Sequence, residues 1–374
     1  MRPLYIAGKK ISIEKDPTNT KTPWWMTVIA VVLALVFCAG FMLLNDNNPI
    51  TVFSKMFSGA FGSLYGLSET LLKAIPLMLC GLGVAIAYRI SVWNIGAEGQ
   101  FVMGAIAATS ITIYYPEMGA FSSITLMLLA GFTAGALWAL VVAICRSYFD
   151  VNEVICSLML NYIAILFLSF LVFEPWKDPN GFNFPGTAIF NSSQQLPALD
   201  DLRLHVGLLI ALASILLYAV LVKFTQWGYQ LRLLSANVNA ARYAGMHVKR
   251  QIIIVLMISG GLAGIAGMVE VSGVTHRLSQ GVSSGYGYTA IIVAWLARLN
   301  PIGIVISSIL CGAVIVGGYS VQLIGLPASM ALMIQGAILF FVIGGEVFSQ
   351  YRIRLAPTKL KNTDQKSSAK VEVL

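Results

Sequence analysis

Four stretches place residues capable of chemistry among neighbours that are almost entirely apolar. The first is Trp93-Asn94-Ile95-Gly96-Ala97-Glu98-Gly99-Gln100. A carboxylate at the centre of a bilayer costs about 2.5–3.5 kcal/mol on insertion scales, so Glu98 between two apolar runs needs a reason. Two readings stand. Gly96 and Gly99 could break a helix and turn its free N–H groups toward a cavity suited to a polar solute. Alternatively, the stretch is a cytoplasmic turn, with Glu98 favourable in the first turn of the next helix. The second stretch, Gly228–Met246, carries Arg232, Asn239, Ala240, Ala241, Arg242 and Gly245. Residues 237–244 read as a short helix closed by Gly245, which could dock into a cytoplasmic partner or lie on anionic lipid. The third, Gly267–Leu278, holds Glu270 near the end of an apolar run, with His276 and Arg277 just beyond it. Glu270 could hydrogen-bond a hydroxylated solute or pair with Arg277. The fourth, Gly285–Gly303, loosely echoes the first, as a repeat with a site between its copies would.

Enzymatic signatures do not accompany these residues. There is no G-x-x-x-x-G-K-[ST], H-E-x-x-H or G-x-S-x-G, and the three histidines are scattered. Cys38, Cys80, Cys145, Cys156 and Cys311 all fall in apolar stretches without metal-ligand spacing. The expectation is therefore no catalytic residue, no metal and no bound cofactor, with any ATP and Mg held by another chain.

The elements that must position the four stretches follow from composition. Of 374 residues, 57% are hydrophobic and 11% charged, and the mean hydropathy is +0.80. Soluble domains carry roughly 25% charged residues. A soluble globule could not cover this much apolar surface, and a disordered chain would be polar. The reading is an all-α polytopic membrane protein of about ten transmembrane helices. The expected spans are 24–44, 70–89, 98–115, 119–145, 150–173, 204–224, 251–273, 286–299, 301–319 and 326–348. Polar tails at 1–23 and 349–374 flank a transmembrane domain at 24–348.

Charge sets the orientation. With ten spans, Lys and Arg concentrate in both tails, at Arg89, Arg146 and Arg298, and in the 223–250 loop. Only Lys55, Lys73, Lys177, Arg203 and Arg277 fall on the other side. Both tails and the 223–250 loop are thus expected to be cytoplasmic. The net charge of +8 marks that face and does not call for a nucleic-acid partner.

Asn94-Ile95-Gly96-Ala97-Glu98-Gly99-Gln100 resembles a motif of the permease subunits of bacterial ATP-binding-cassette (ABC) importers of the branched-chain amino acid/ribose type, closest to their simple-sugar and nucleoside branch. Val151-Asn152-Glu153-Val154-Ile155 with Leu158-Met159-Leu160-Asn161-Tyr162 matches a second stretch of that branch. Residues 228–250 resemble its ATPase-contacting loop, and residues 260–303, including Glu270 and Arg298-Leu299-Asn300-Pro301, its later half. The resemblance spans roughly residues 60–350. It implies a multi-pass permease of the cytoplasmic (inner) membrane that moves a nucleoside or simple sugar. A separate ATPase subunit would drive it, beside a second permease (another chain or a second copy) and an extracytoplasmic solute-binding protein. It implies that Asn94, Glu98, Gln100, Asn161, Glu270 and His276 lie along the pathway. Arg232, Asn239, Ala240, Ala241, Arg242 and Gly245 would form the coupling helix. Relatives place an acidic residue before the two alanines, where this chain has Asn239. The alternative is an ion-coupled secondary transporter working through Glu98, Glu270 or Glu346, which would leave the 228–250 loop unexplained.

Overall fold

The computed structural model describes residues 4–6, 9–15, 24–181, 184–199, 203–327, 329–349 and 351–357. Between the tails the chain is helical: α1 (Trp24–Leu44), α2 (Pro49–Phe61), α3 (Leu64–Tyr88), α4 (Ala97–Tyr114), α5 (Ala120–Phe149), α6 (Glu153–Phe173), α7 (Gly207–Phe224), α8 (Gln226–Ala236), α9 (Val238–Tyr243), α10 (Val248–Glu270), α11 (Tyr286–Leu296), α12 (Pro301–Ser320) and α13 (Ser329–Ser349). Strands β1 (Leu4–Ile6), β2 (Lys9–Lys15) and β3 (Tyr351–Pro357) form an antiparallel sheet in the order β1-β2-β3. The segments flanking the bundle, expected only to be polar tails, are thus paired with each other, from Lys9 opposite Pro357 to Lys15 opposite Tyr351.

Each of the ten expected spans contains a helix, yet among the described residues seven helices are long and apolar enough to cross a membrane. The others fall short for definite reasons. α11 has 11 residues, about 16 Å, against roughly 30 Å of hydrocarbon. α4 begins only after the irregular stretch 92–96. Helix α2 was not expected. Asn48 accepts from the Ile50 N–H and Pro49 stands at its first position, an N-terminal signal hidden by the mixed polarity that follows. α3 starts earlier than the expected span, capped by Ser63, so Lys73 lies well inside the helix rather than close to its end.

Local signals explain most other boundaries. Asn152 caps α6 and Asn300 caps α12, the latter with Pro301 at its first position. Asn237 caps α9 through the Asn239 and Ala240 N–H groups, and Gly245, at φ +78°, turns the chain away from it. Glycines set the packing of the central helices. Gly104 on α4 and Gly131 and Gly135 on α5 face Gly264 on α10 so closely that an added Cβ at any of them would collide with the opposing backbone.

The turns sort into two sets. On one side Arg89 donates to the Leu299 carbonyl and lies over Tyr218, and Lys249 lies over Tyr148. On the other, the 184–199 loop bonds to residues 272–278 through Thr187, Phe190 and Leu196. These contacts place the turns on two faces of the bundle.

Candidate functional site

α4 and α11 are broken helices whose N-terminal ends meet inside the bundle. Asn94 donates to Ser259 at 2.7 Å, and Ser259 lies about 16 Å beyond the start of α10. The 92–96 stretch therefore sits at membrane depth, not at a surface turn. Its polar atoms are consumed there. Asn94 and Gln100 exchange two side-chain hydrogen bonds, at 2.8 and 3.0 Å. Asn161 on α6 accepts from the Gly99 N–H and donates to the Ile95 carbonyl, both at 2.9 Å, bracing the break from outside. It also donates to the Tyr288 hydroxyl at 3.3 Å.

Glu98 combines both sequence readings. It stands in the first turn of α4, and its carboxylate accepts from Ser283 and from the Gly287 N–H, in the first turn of α11, at 2.8 Å. One buried carboxylate thus faces the positive ends of two helix dipoles. Gly285, at φ +81°, bends the chain into α11, and the Glu98 carboxylate of α4 closes off the helix end in place of a local cap. The segment 279–288, Ser-Gln-Gly-Val-Ser-Ser-Gly-Tyr-Gly-Tyr, was not singled out in full by sequence reasoning. It reaches inward from the outer side with Gln280, Gly281, Ser284 and Tyr288 exposed. Its signal was its polarity: three serines, a glutamine and two tyrosine hydroxyls ahead of a short apolar helix.

Glu270, at the end of α10 and 2% exposed, does not pair with Arg277, which lies over the Phe184 ring. It faces Lys73 of α3 at 3.6 Å and Tyr286 of α11 at 3.4 Å. After Glu270 the chain makes a π turn, Val271–Thr275, and His276 follows in a left-handed conformation. His276 bonds the Ser272 carbonyl through Nδ1 and lines an outer depression of about 480 Å³ with Arg203, His205 and Gly273. Asn94, Glu98, Gln100 and Asn161 therefore form one cluster, Glu270 a second, and His276 lies apart in the outer layer. Glu346 is on α13, and its side chain lies outside the described residues. The described residues contain no group of three or more His, Cys, Asp or Glu able to hold a metal.

The 228–250 stretch divides by exposure. Asn239, Ala240, Arg242 and Gly245 are exposed, whereas Ala241 is fully buried against its own chain. Arg232 donates to the Val222 carbonyl at 2.6 Å and so ties α8 to the end of α7. Tyr243, 93% exposed at the end of α9, was passed over in the sequence because nothing in its spacing distinguishes it. Beside α9 lies a depression of about 400 Å³ bordered by Gln230, Gly245, His247 and Arg250.

The bundle combines a broken-helix centre with an exposed short helix, α9, between its spans. Residues 66–343 match the family described as branched-chain amino acid transport system / permease component, and the chain belongs to it. It is a multi-pass membrane subunit of an ABC importer, a transport component and not an enzyme. It is 33% identical to the glucose ABC transporter permease protein TsgB13 of Haloferax volcanii, over 92% of this chain and 94% of that one. It is 31% identical to the guanosine ABC transporter permease protein NupP of Bacillus subtilis, over 89% and 95%. With the nucleoside ABC transporter permease protein NupB of Lactococcus lactis it shares 28%, over 84% and 89%.

Proposed function

We propose that this permease moves a nucleoside or simple sugar inward, along a path walled by residues 279–288 and backed by the Glu98 junction. The observation that carries this is the meeting of α4 and α11 at one carboxylate, which leaves a polar, serine-rich segment exposed at membrane depth. Asn94, Gln100 and Asn161 hold that segment in place rather than contacting the solute themselves. Glu270 borders the path on its outer side. His276 belongs to the outer loops, on which a solute-binding protein would dock. The relatives' named solutes, glucose, guanosine and nucleosides, share a ring bearing several hydroxyls, and they support a solute of this kind.

Both tails lie in the cytoplasm and α9 is the coupling helix. Asn239, Ala240, Arg242, Gly245 and the exposed Tyr243 meet the ATPase. Ala241 and Arg232 fix the helix to the permease. A second permease, another chain or a further copy, completes the pore. Exposed aromatic and Arg side chains dominate interface energetics, so Tyr243 and Arg242 are the expected anchors. A tagged chain purified from its native membrane is expected to bring a cassette ATPase with it. Tyr243→Ala with Arg242→Glu should cut that recovery at least tenfold while membrane insertion is unchanged. Undiminished recovery removes the coupling assignment.

A further inference from the structure

Two buried polar clusters lie in this bundle, and they differ in how well they are satisfied. Around Asn94 the contacts are 2.7–3.0 Å and close on one another. Around Glu270 they are 3.4 and 3.6 Å, both reach Oε1, and Oε2 is buried without a hydrogen-bond partner among the described residues. A buried carboxylate held this loosely keeps most of its desolvation cost, which a mere brace would have no reason to retain.

Lys73 stands between this carboxylate and open space. Its side chain is 15% exposed, and Nζ donates to the Tyr286 hydroxyl at 2.9 Å. Tyr65, Glu69 and Lys73 follow at four-residue spacing on α3, about 6 Å apart along the axis, from an exposed tyrosine to a mostly buried ammonium. Glu69 is engaged by Arg203 at 2.9 Å, which leaves Glu270 as the carboxylate facing Lys73.

We infer that Lys73, Glu270 and Tyr286 form a binding site for a pair of adjacent hydroxyl groups on the solute. Glu270 Oε2 accepts a hydrogen bond from one hydroxyl. The Lys73 ammonium donates to the oxygen of the next. Each hydroxyl both donates and accepts, so neighbouring hydroxyls match an acceptor and a donor fixed side by side. The Lys73–Tyr286 bond gives way as the solute enters, and the Tyr286 hydroxyl, still donating to Glu270, becomes a further acceptor. The ligand class is a vicinal diol, as in a hexose or a ribose. This site rests on the permease reading above and names the part of the solute recognised.

The test uses the complete transporter in proteoliposomes, with its ATPase, partner permease and binding protein, offered tritiated guanosine or glucose and an analogue without adjacent hydroxyls, 2′-deoxyguanosine or 2,4-dideoxyglucose. The variants are Lys73→Met, Glu270→Gln and the two together. The double variant removes both charges, so it leaves no buried ion unpaired and separates folding from recognition. It is expected to move the diol-bearing solute at least tenfold more slowly than wild type and to lose the preference for it over the deoxy analogue. Wild-type rates in the double variant would overturn the site, and so would slow transport with the preference intact. A wild-type complex that hydrolyses ATP yet accumulates neither solute would strike the proposed solute class and this site with it.

Discussion

At the scale of single residues, the Asn94–Gln100–Asn161 cluster holds a shape, whereas the Glu270 carboxylate keeps an oxygen without a partner among the described residues. Asn94, Gln100 and Asn161 were legible in the sequence as anomalies of polarity. Their partners were not, because Ser259, the Ile95 carbonyl and the Gly99 N–H come from distant helices or from backbone. Lys73 was counted with the charges of one face because the span was read as starting at residue 70, whereas the helix starts at Leu64 and includes the mixed-polarity stretch before it. His205 is another residue whose role appeared only in three dimensions. Its ring is wedged between Gly207 and Gly273, and Nδ1 accepts from the Gly207 N–H at 3.1 Å, so the neutral ring carries its proton on Nε2. Burial, and then the neighbouring His276, lower its pKa from 6.5 to about 4. The folded loop thus binds fewer protons than the released loop between about pH 4 and 6.5. Stability of the loop is complete above that window and is lost as pH falls through it, by about 3 kcal/mol in all. The protection of residues 184–199 against hydrogen exchange, taken relative to the intrinsic rate at each pH, is expected to fall steeply from pH 7 to pH 4.5. His205→Asn should flatten that profile.

Among the elements, the long apolar helices could be read directly, since twenty apolar residues in a row admit few alternatives. The half-length ones could not. Hydropathy reports how apolar a stretch is, not how deep it begins, so the 11-residue α11 looked like a span and the 13-residue α2 looked like a loop. The glycine-rich face of α10 was visible as a pattern, but the helices it meets were not. Gly264 turns out to lie against both α4 and α5. Dense interiors have no room for extra atoms at such a crossing. Gly264→Ala should lower the yield of folded, detergent-stable protein severalfold, and Gly264→Leu should abolish it, as size-exclusion chromatography will report. Gly336, where an added Cβ meets nothing within 4 Å, supplies the control: Gly336→Ala should leave the yield unchanged.

On the scale of the whole molecule, the arrangement of Lys and Arg anticipated which turns share a face, and the contacts of Arg89 and Lys249 on one side and of the 184–199 loop on the other agree with it. Membership of the ABC permease family places the energy source in another chain. Uptake by the assembled transporter is therefore expected to persist when ionophores collapse the proton and sodium gradients, provided ATP remains. Loss of uptake with ATP intact would revive ion coupling through Glu98 or Glu270.

The small sheet β1-β2-β3 gives the bundle a property that its helices alone would not. Because β2 is zipped to β3, the polypeptide is fastened to itself at both margins and closes into a hoop. A cut in a loop between the helices would open that hoop without freeing either piece, since the fragments would stay joined by the β2–β3 ladder and by the packing of α1 on α13. The first and last helices must then travel as a pair whenever the halves of the molecule rock apart.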